Sequence, residues 1–189
     1  MSEDAKARFR AELDTLVGQA TGFGGPQLAP DEVNLPMIRH WCDAMEDRNP
    51  VYLDAKFAAK TRFKQIVAPP VMLQTWTMAR PKISGIAERG GVPFELTSKS
   101  PLSLLDDAGF VGTLATNSEF EIERYVHLGE RLTSTTHIES ISDEKRTAIG
   151  PGHFVTWVTD YKVESGEIVG RQRFRILKFK PEAPAGGAS

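Results

Sequence analysis

The sequence predicts an α+β domain in which helices come first and an antiparallel sheet follows. Three observations carry this. Up to about residue 80 the apolar residues recur at helical spacing. Beyond about residue 112, four segments are rich in β-branched and aromatic residues, with short turn-like stretches between them. Helices grouped ahead of strands mark α+β folds, whereas parallel α/β sheets alternate the two.

The bulk numbers suit one such domain. The chain has 189 residues, of which 40% are hydrophobic, enough for one sizeable core. A net charge of -2 gives no general pull toward nucleic acid or an anionic membrane, so neither is expected as a partner. Cys42 is the single cysteine, which excludes an internal disulfide and fits a reducing compartment. His40, His127, His137 and His153 are scattered, without the spacing of metal ligands, and no metal is expected. The charged start "MSEDAKARFR" lacks the apolar stretch of a signal peptide, and no apolar run approaches the roughly 20 residues of a membrane span. A soluble, cytoplasmic protein is expected.

The elements follow in order. Residues 1–29 read as an N-terminal helix and loop. Ser2 or Asp4 is the expected cap, Phe9, Leu13, Leu16 and Val17 the expected buried face, and Gly18 the stop. "TGFGGPQLAP" reads as loop. A second helix is expected from about Asn34 to Met45, with Pro36 tolerated in its first turn, where its missing N–H has no intrahelical partner. Its buried stripe would be Ile38, Trp41, Cys42 and Met45. "LDAKFAAKT" suggests a short helix, "VAPPVMLQTWTM" a breaker and a helical segment, and "SPLSLLDDAG" another helix inside the glycine- and proline-rich stretch 80–110.

Strands are expected in "TLATNSEFEIERYV", "RLTSTTHIESISD", "HFVTWVTDYKV" and "EIVGRQRFRILKFK", separated by "HLGE", "SDEKRTAIGPG" and "ESGE" as turns. Phe120 and Ile122, with Phe174 and Ile176, should point into the core. Glu119, Glu121 and Glu123 alternate onto one strand face, and Arg171, Arg173 and Arg175 onto another. If those strands are neighbours the rows pair, either as a solvated ladder or with part of the arginine row free for a partner chain or an anionic ligand. "PEAPAGGAS", residues 181–189, has linker composition and should be disordered.

The stretch "EDRNPVYLDAKFAA", residues 46–59, carries the chemistry. Asp and Asn side chains bond nearby backbone and proline presets φ, so an Asp-x-Asn-Pro turn also serves purely structural ends. Together with "VAPP" and "HLGERLT", however, it resembles the MaoC-like (R)-specific enoyl-CoA hydratases and dehydratases, whose fold is the hotdog, an antiparallel sheet wrapped around a helix. The resemblance spans about residues 30–180. Asp47, Asn49, Pro50 and Asp54 fall on the family's turn. Glu46 replaces its glycine, and Tyr52 stands where its histidine belongs. Hydrating an unsaturated thioester needs a water deprotonated at Cβ and a proton delivered at Cα. Histidine, with a pKa of about 6.5, gives and takes protons near neutral pH, whereas tyrosine, at about 10, is a poor base.

The resemblance therefore implies a pseudo-active site of Asp47, Asn49 and Tyr52, with Glu46 altering how the turn holds Asp47. Ala68, Pro69, Pro70 and Met72 are the implied substrate-binding residues. No cofactor is implied beyond the coenzyme A thioester that is the substrate. "IRHWCDAMEDRNPVY", "VAPPVMLQTWTM", "ATNSEFE" and "SISDEKRTAIGPGHFVTWVT" further resemble the larger, MaoC-like subunit of actinobacterial steroid side-chain hydratases. That likeness implies a small catalytic hotdog partner in a heterotetramer, an acyl-CoA with a polycyclic group of the kind met in cholesterol degradation, and an OB-fold-like C-terminal domain in full-length relatives, starting near "PEAPAGGAS". Two alternatives stay open: a self-sufficient hydratase using Asp47 with Tyr52 or a distant histidine such as His153, and a non-enzymatic acyl-CoA-binding or scaffold module.

Overall fold

The computed structural model describes residues 3–20, 25–88 and 102–182. Ser2, most of the 80–101 stretch and the 183–189 tail therefore lie outside the described residues. Helix α1 spans Glu3–Asp14, with Glu3 and Asp4 in its first turn, where negative charge suits the helix dipole. Leu13 is fully buried and Leu16 is 9% exposed, but Val17 is 44% exposed. The helix has already ended at Asp14, so Val17 leaves the expected stripe.

Helix α2, Leu35–Met45, is capped as expected: the Met37 N–H donates to the Asn34 side chain at 3.0 Å, and Pro36 sits in the first turn. Ile38 and Cys42 are buried and Trp41 half-buried. Met45, expected on the same stripe, is 62% exposed. It is the last helical residue, and the chain turns away at Glu46. Two short helices follow, α3 (Pro50–Leu53) and α4 (Ala55–Ala58), then a 3-10 turn (Pro70–Met72) leading into α5 (Leu73–Trp76). Helix α6, Ser103–Asp107, occupies "SPLSLLDDAG".

The sheet has six strands: β1 (Gln27–Leu28), β2 (Gly112–Ile122), β3 (Leu132–Ile141), β4 (Lys145–Thr147), β5 (Gly150–Val163) and β6 (Ile168–Phe179). All pairings are antiparallel, in the order β1-β3-β5-β6-β2, with β4 on β5. β1 and β4 were expected as loop and turn. Both are short, and β4 carries Lys145 and Arg146, so neither shows the apolar alternation of a half-buried strand.

β1 is part of a sheath over the β3 edge. Gln27 pairs with Ser134 and Leu28 with Thr133, Ala20 bridges to His137, and the Gly18 N–H donates to the Ile138 carbonyl at 2.8 Å. The opposite edge, β2, has no such cover among the described residues, and Val111 (60%) and Leu114 (50%) are exposed along it.

The helices pack on one face of the sheet in two apolar clusters. The first joins Ile38, Cys42, Val51, Tyr52, Ala68, Met72, Leu73 and Trp76 to Leu132, Tyr161 and Val169. The second joins Leu13, Leu16, Leu105 and Phe110 to Ile138, Val155 and Ile176, with Trp157 and Phe174 packed against it. Of the expected core residues, Ile176 is buried and Phe120, Ile122 and Phe174 are half-buried. Gly170 lets α5 lie against β6: a Cβ there would stand 2.6 Å from Leu73 Cδ1. On the other face the charged rows meet in part: Glu119 stands opposite Arg173 and Glu121 opposite Arg171, whereas Arg175 faces Asn117 and Glu123 lies past the end of β2.

Candidate functional site

The sharp turn after α2 builds the site. Glu46 takes φ 53°, ψ 28°, the left-handed region that glycine enters freely and that costs other residues about 1–2 kcal/mol. Its N–H and that of Asp47 close on the α2 end, Asp47 to the Cys42 carbonyl at 2.9 Å. The glutamate therefore adopts a conformation that suits a glycine, and the turn carries local strain at this position. Asp47 accepts from the Asn49 N–H at 3.0 Å, and Asn49 accepts from the Val51 N–H at 3.2 Å, capping α3. Asp54 then caps α4, accepting from Lys56 N–H at 2.8 Å and Phe57 N–H at 3.1 Å. Each polar residue of the motif thus has a backbone task as well as any chemical one.

Helix α3 points Tyr52 inward, where it is 5% exposed. Burial first, then the neighbouring Tyr125 and Asp47, pushes its hydroxyl up to about 12. Tyr125 and Asn49 lie within reach of that hydroxyl, and Phe63 stacks on Tyr125 with ring centroids 4.9 Å apart. Tyr52 is a neutral phenol at any ordinary pH. It can donate a hydrogen bond but cannot take a proton from water. Asp47 is half-buried and can orient a water. Burial, with Asp47 and Asp43 nearby, raises the Cys42 thiol, which suits a packing residue better than a nucleophile.

Ala68, Pro69 and Met72 are buried and Pro70 half-buried; Ala68 and Met72 share the cluster that holds Tyr52. The Ala68 N–H donates to the Val126 carbonyl at 2.9 Å, fixing this segment to the chain before β3. His153 is not brought to the turn. It is buried in the second cluster's surroundings, between Phe9 and Phe110, with Nδ1 2.8 Å from the Ser142 carbonyl. Among the described residues, no histidine bonds to Asp47, and no group of three or more His, Cys, Asp or Glu is placed to hold a metal ion.

Two arrangements were not foreseen. Arg124 bonds both Glu130 (2.8 Å) and Glu167 (2.9 Å), tying the chain before β3 to the β5–β6 turn. On the helix-bearing face, between the two clusters, Tyr161, Gln172, Gln74 and Ser118 form a hydrogen-bonded chain. Neither shows in the sequence, because each joins residues far apart along the chain and depends on strand register.

Residues 27–172 match the model of the FAS1-like, dehydratase domain region. The chain is 41% identical over 176 residues to a probable enoyl-CoA hydratase alpha subunit of Thermomonospora curvata, covering 92% of this chain and 53% of that protein. It is 40% identical over 174 residues to the 3-oxo-4,17-pregnadiene-20-carboxyl-CoA hydratase alpha subunit of Mycobacterium tuberculosis, covering 90% and 53%. The chain thus spans about half the length of the curated relatives it matches. Among solved structures it matches a chain of the ChsH1-ChsH2 complex from Mycobacterium tuberculosis, with 35% identity, a TM-score of 0.73 and 95% of each chain covered. Among the described residues, no helix is long and apolar enough to cross a membrane.

Proposed function

Because the chain belongs to the FAS1-like, MaoC-like dehydratase family and has its hotdog fold, we propose that it is the MaoC-like part of a heteromeric enoyl-CoA hydratase. In this reading it supplies structure and a wall of the acyl-CoA pocket, with Ala68, Pro69, Pro70 and Met72 on that wall. A small hotdog partner supplies the Asp/His pair. The substrate is a coenzyme A thioester carrying a polycyclic, steroid-like acyl group, and two such pairs assemble into a heterotetramer. The working compartment is the cytoplasm.

The observation that carries the reading is Tyr52, a buried, neutral phenol, at the position that the resemblance assigns to the family's histidine. The alpha-subunit names of both curated relatives and the two-protein complex named for the solved structure support a partnered role. So does the β2 edge, an eleven-residue strand paired to β6 on one side and, among the described residues, to no strand on the other.

The test is hydration of steroid-bearing enoyl-CoA by the chain alone, by a small hotdog subunit carrying the Asp/His pair alone, and by the two co-expressed. Activity is expected for the pair, and the chain alone should stay near background. Robust turnover by the isolated chain, abolished by Asp47→Asn, would make it a self-sufficient enzyme and end this reading.

A further inference from the structure

The strand register brings a buried amide under two exposed side chains. Tyr161 on β5 is 2% exposed and Gln172 on β6 is 6% exposed. Burial holds the Tyr161 phenol protonated, well above its ordinary range. Its O–H donates to Gln172 Oε1 at 2.8 Å. The Gln172 amide is thereby oriented, with oxygen toward Tyr161 and nitrogen away from it. Gln172 Nε2 then donates twice, to Gln74 Oε1 at 3.1 Å and to Ser118 Oγ at 2.9 Å. An amide nitrogen has two hydrogens, so both are used.

This arrangement decides what Gln74 and Ser118 can offer outward. Each already accepts from Gln172. What remains is the amide N–H pair of Gln74 and the hydroxyl hydrogen of Ser118, and both residues are exposed. We propose that Gln74 and Ser118, oriented by Gln172, form a donor pair that receives a carbonyl oxygen carried on the acyl group of the ligand. This deepens the reading above and rests on it, because it takes this face of the sheet to line the acyl pocket.

The surroundings fit such a ligand. Ser118 stands opposite Phe174, and Gln172 opposite Phe120 on one side and Thr159 on the other. Phe120 and Phe174, with Trp157 opposite Phe174, are only half-buried on this face, so aromatic rings stand partly open beside the donors. An apolar ring skeleton with one ketone matches a spot of donors beside half-buried aromatic rings. A plain hydrocarbon would desolvate those donors without replacing their water, which is how polar sites reject analogues lacking the matching group. Gly170 keeps α5 against β6 and so holds Gln74 over Gln172.

The experiment uses the co-expressed complex and two ring-bearing enoyl-CoAs that differ only in a ketone replaced by a methylene. The wild-type complex should prefer the ketone by ~10-fold in kcat/KM. Gln74→Leu and Ser118→Ala should each lower that preference by ~3- to 5-fold, and Ser118→Thr, which keeps the hydroxyl, should retain it. Equal use of both substrates by the wild type, or a preference that neither substitution moves, overturns the donor-pair assignment and leaves the hydratase reading standing. A wild-type complex that turns over neither substrate overturns the hydratase reading and the donor pair with it.

Discussion

Arg171 makes its short ion pair, 2.9 Å, with Asp160 of β5, although Glu121 also faces it across the β2–β6 ladder. Glu121 and Glu123 stand farther off, at 3.8 and 3.7 Å. The Arg171–Asp160 contact is also the more enclosed, Asp160 being 24% exposed at its side chain against 54% for Glu121. Exposed pairs contribute little, and enclosed charge-assisted hydrogen bonds contribute more. Asp160→Asn should therefore cost ~1 kcal/mol or more and Glu121→Gln less than ~0.5 kcal/mol. Urea midpoints of the two variants check this. Equal costs would mean that the ladder acts as one solvated network.

The Arg124 clamp should make stability acid-sensitive. Burial alone would raise the Glu130 carboxyl, but Arg124 and the His127 N–H outweigh it and hold it below the ordinary value; the Arg124 hydrogen bond likewise lowers Glu167. A carboxyl depressed in the folded state contributes stability that is present above its unfolded pKa, about 4.3, and lost as pH falls through the folded value. Arg124→Gln should lower Tm at pH 7, and its Tm should then fall less steeply than that of the wild type between pH 5 and pH 3. Parallel melting curves for the two proteins across that window would show that the clamp is not the acid-sensitive element.

Glu46→Gly should stabilise the chain by ~0.5–1 kcal/mol, because the left-handed backbone at this position strains a glutamate and suits a glycine. A loss of stability on that substitution would mean that the glutamate side chain contributes more than its backbone costs.

Tyr52→His restores the composition of an acid–base pair, but in a site shaped for a larger ring that is 5% exposed and set beside Tyr125. Displacements of about 1 Å cost ~100-fold in catalysis. Weak or no hydration is expected from Tyr52→His alone without the partner, and adding Glu46→Gly should improve folding more than turnover. Rates typical of a full hydratase from Tyr52→His alone would mean that the turn was catalytically intact all along.

Much of this was legible in the sequence, for reasons particular residues make clear. Ile38 and Cys42 lie mid-helix, where 3.6-residue spacing decides burial, whereas Met45 obeys the same spacing at a terminus, where the path of the chain decides. The Glu119–Arg173 and Glu121–Arg171 pairing was readable because alternation fixes which face a strand residue takes, so only adjacency had to be supplied. The sheath over β3 was not, because the backbone of Gly18–Ala20 and Gln27–Leu28 forms it, and backbone hydrogen bonding leaves no side-chain signature. In the candidate site the Asp47–Tyr52 turn was local and readable. Gln74, Ser118 and Gln172 come from three distant segments and meet only through register.

The β2 edge should be the surface that a partner uses. Leu114→Lys places a charge on it without disturbing a buried side chain, since Leu114 is 50% exposed. Co-elution with a small hotdog subunit should weaken at least ~10-fold while the melting temperature of the chain alone stays put. Undiminished co-elution would move the interface elsewhere.

The unequal edges of the sheet give the chain a valence. A sheet with two open edges is a bifunctional monomer: each addition exposes a fresh end, and growth continues into ribbons. Here the N-terminal segment occupies the β3 side from within the same polypeptide, leaving β2 as the open end among the described residues. One addition at that end satisfies the chain, and propagation stops there. The backbone of residues 18–20 and 27–29 thus acts as a chain terminator, and removing it would turn a unit that joins once into one that can polymerise.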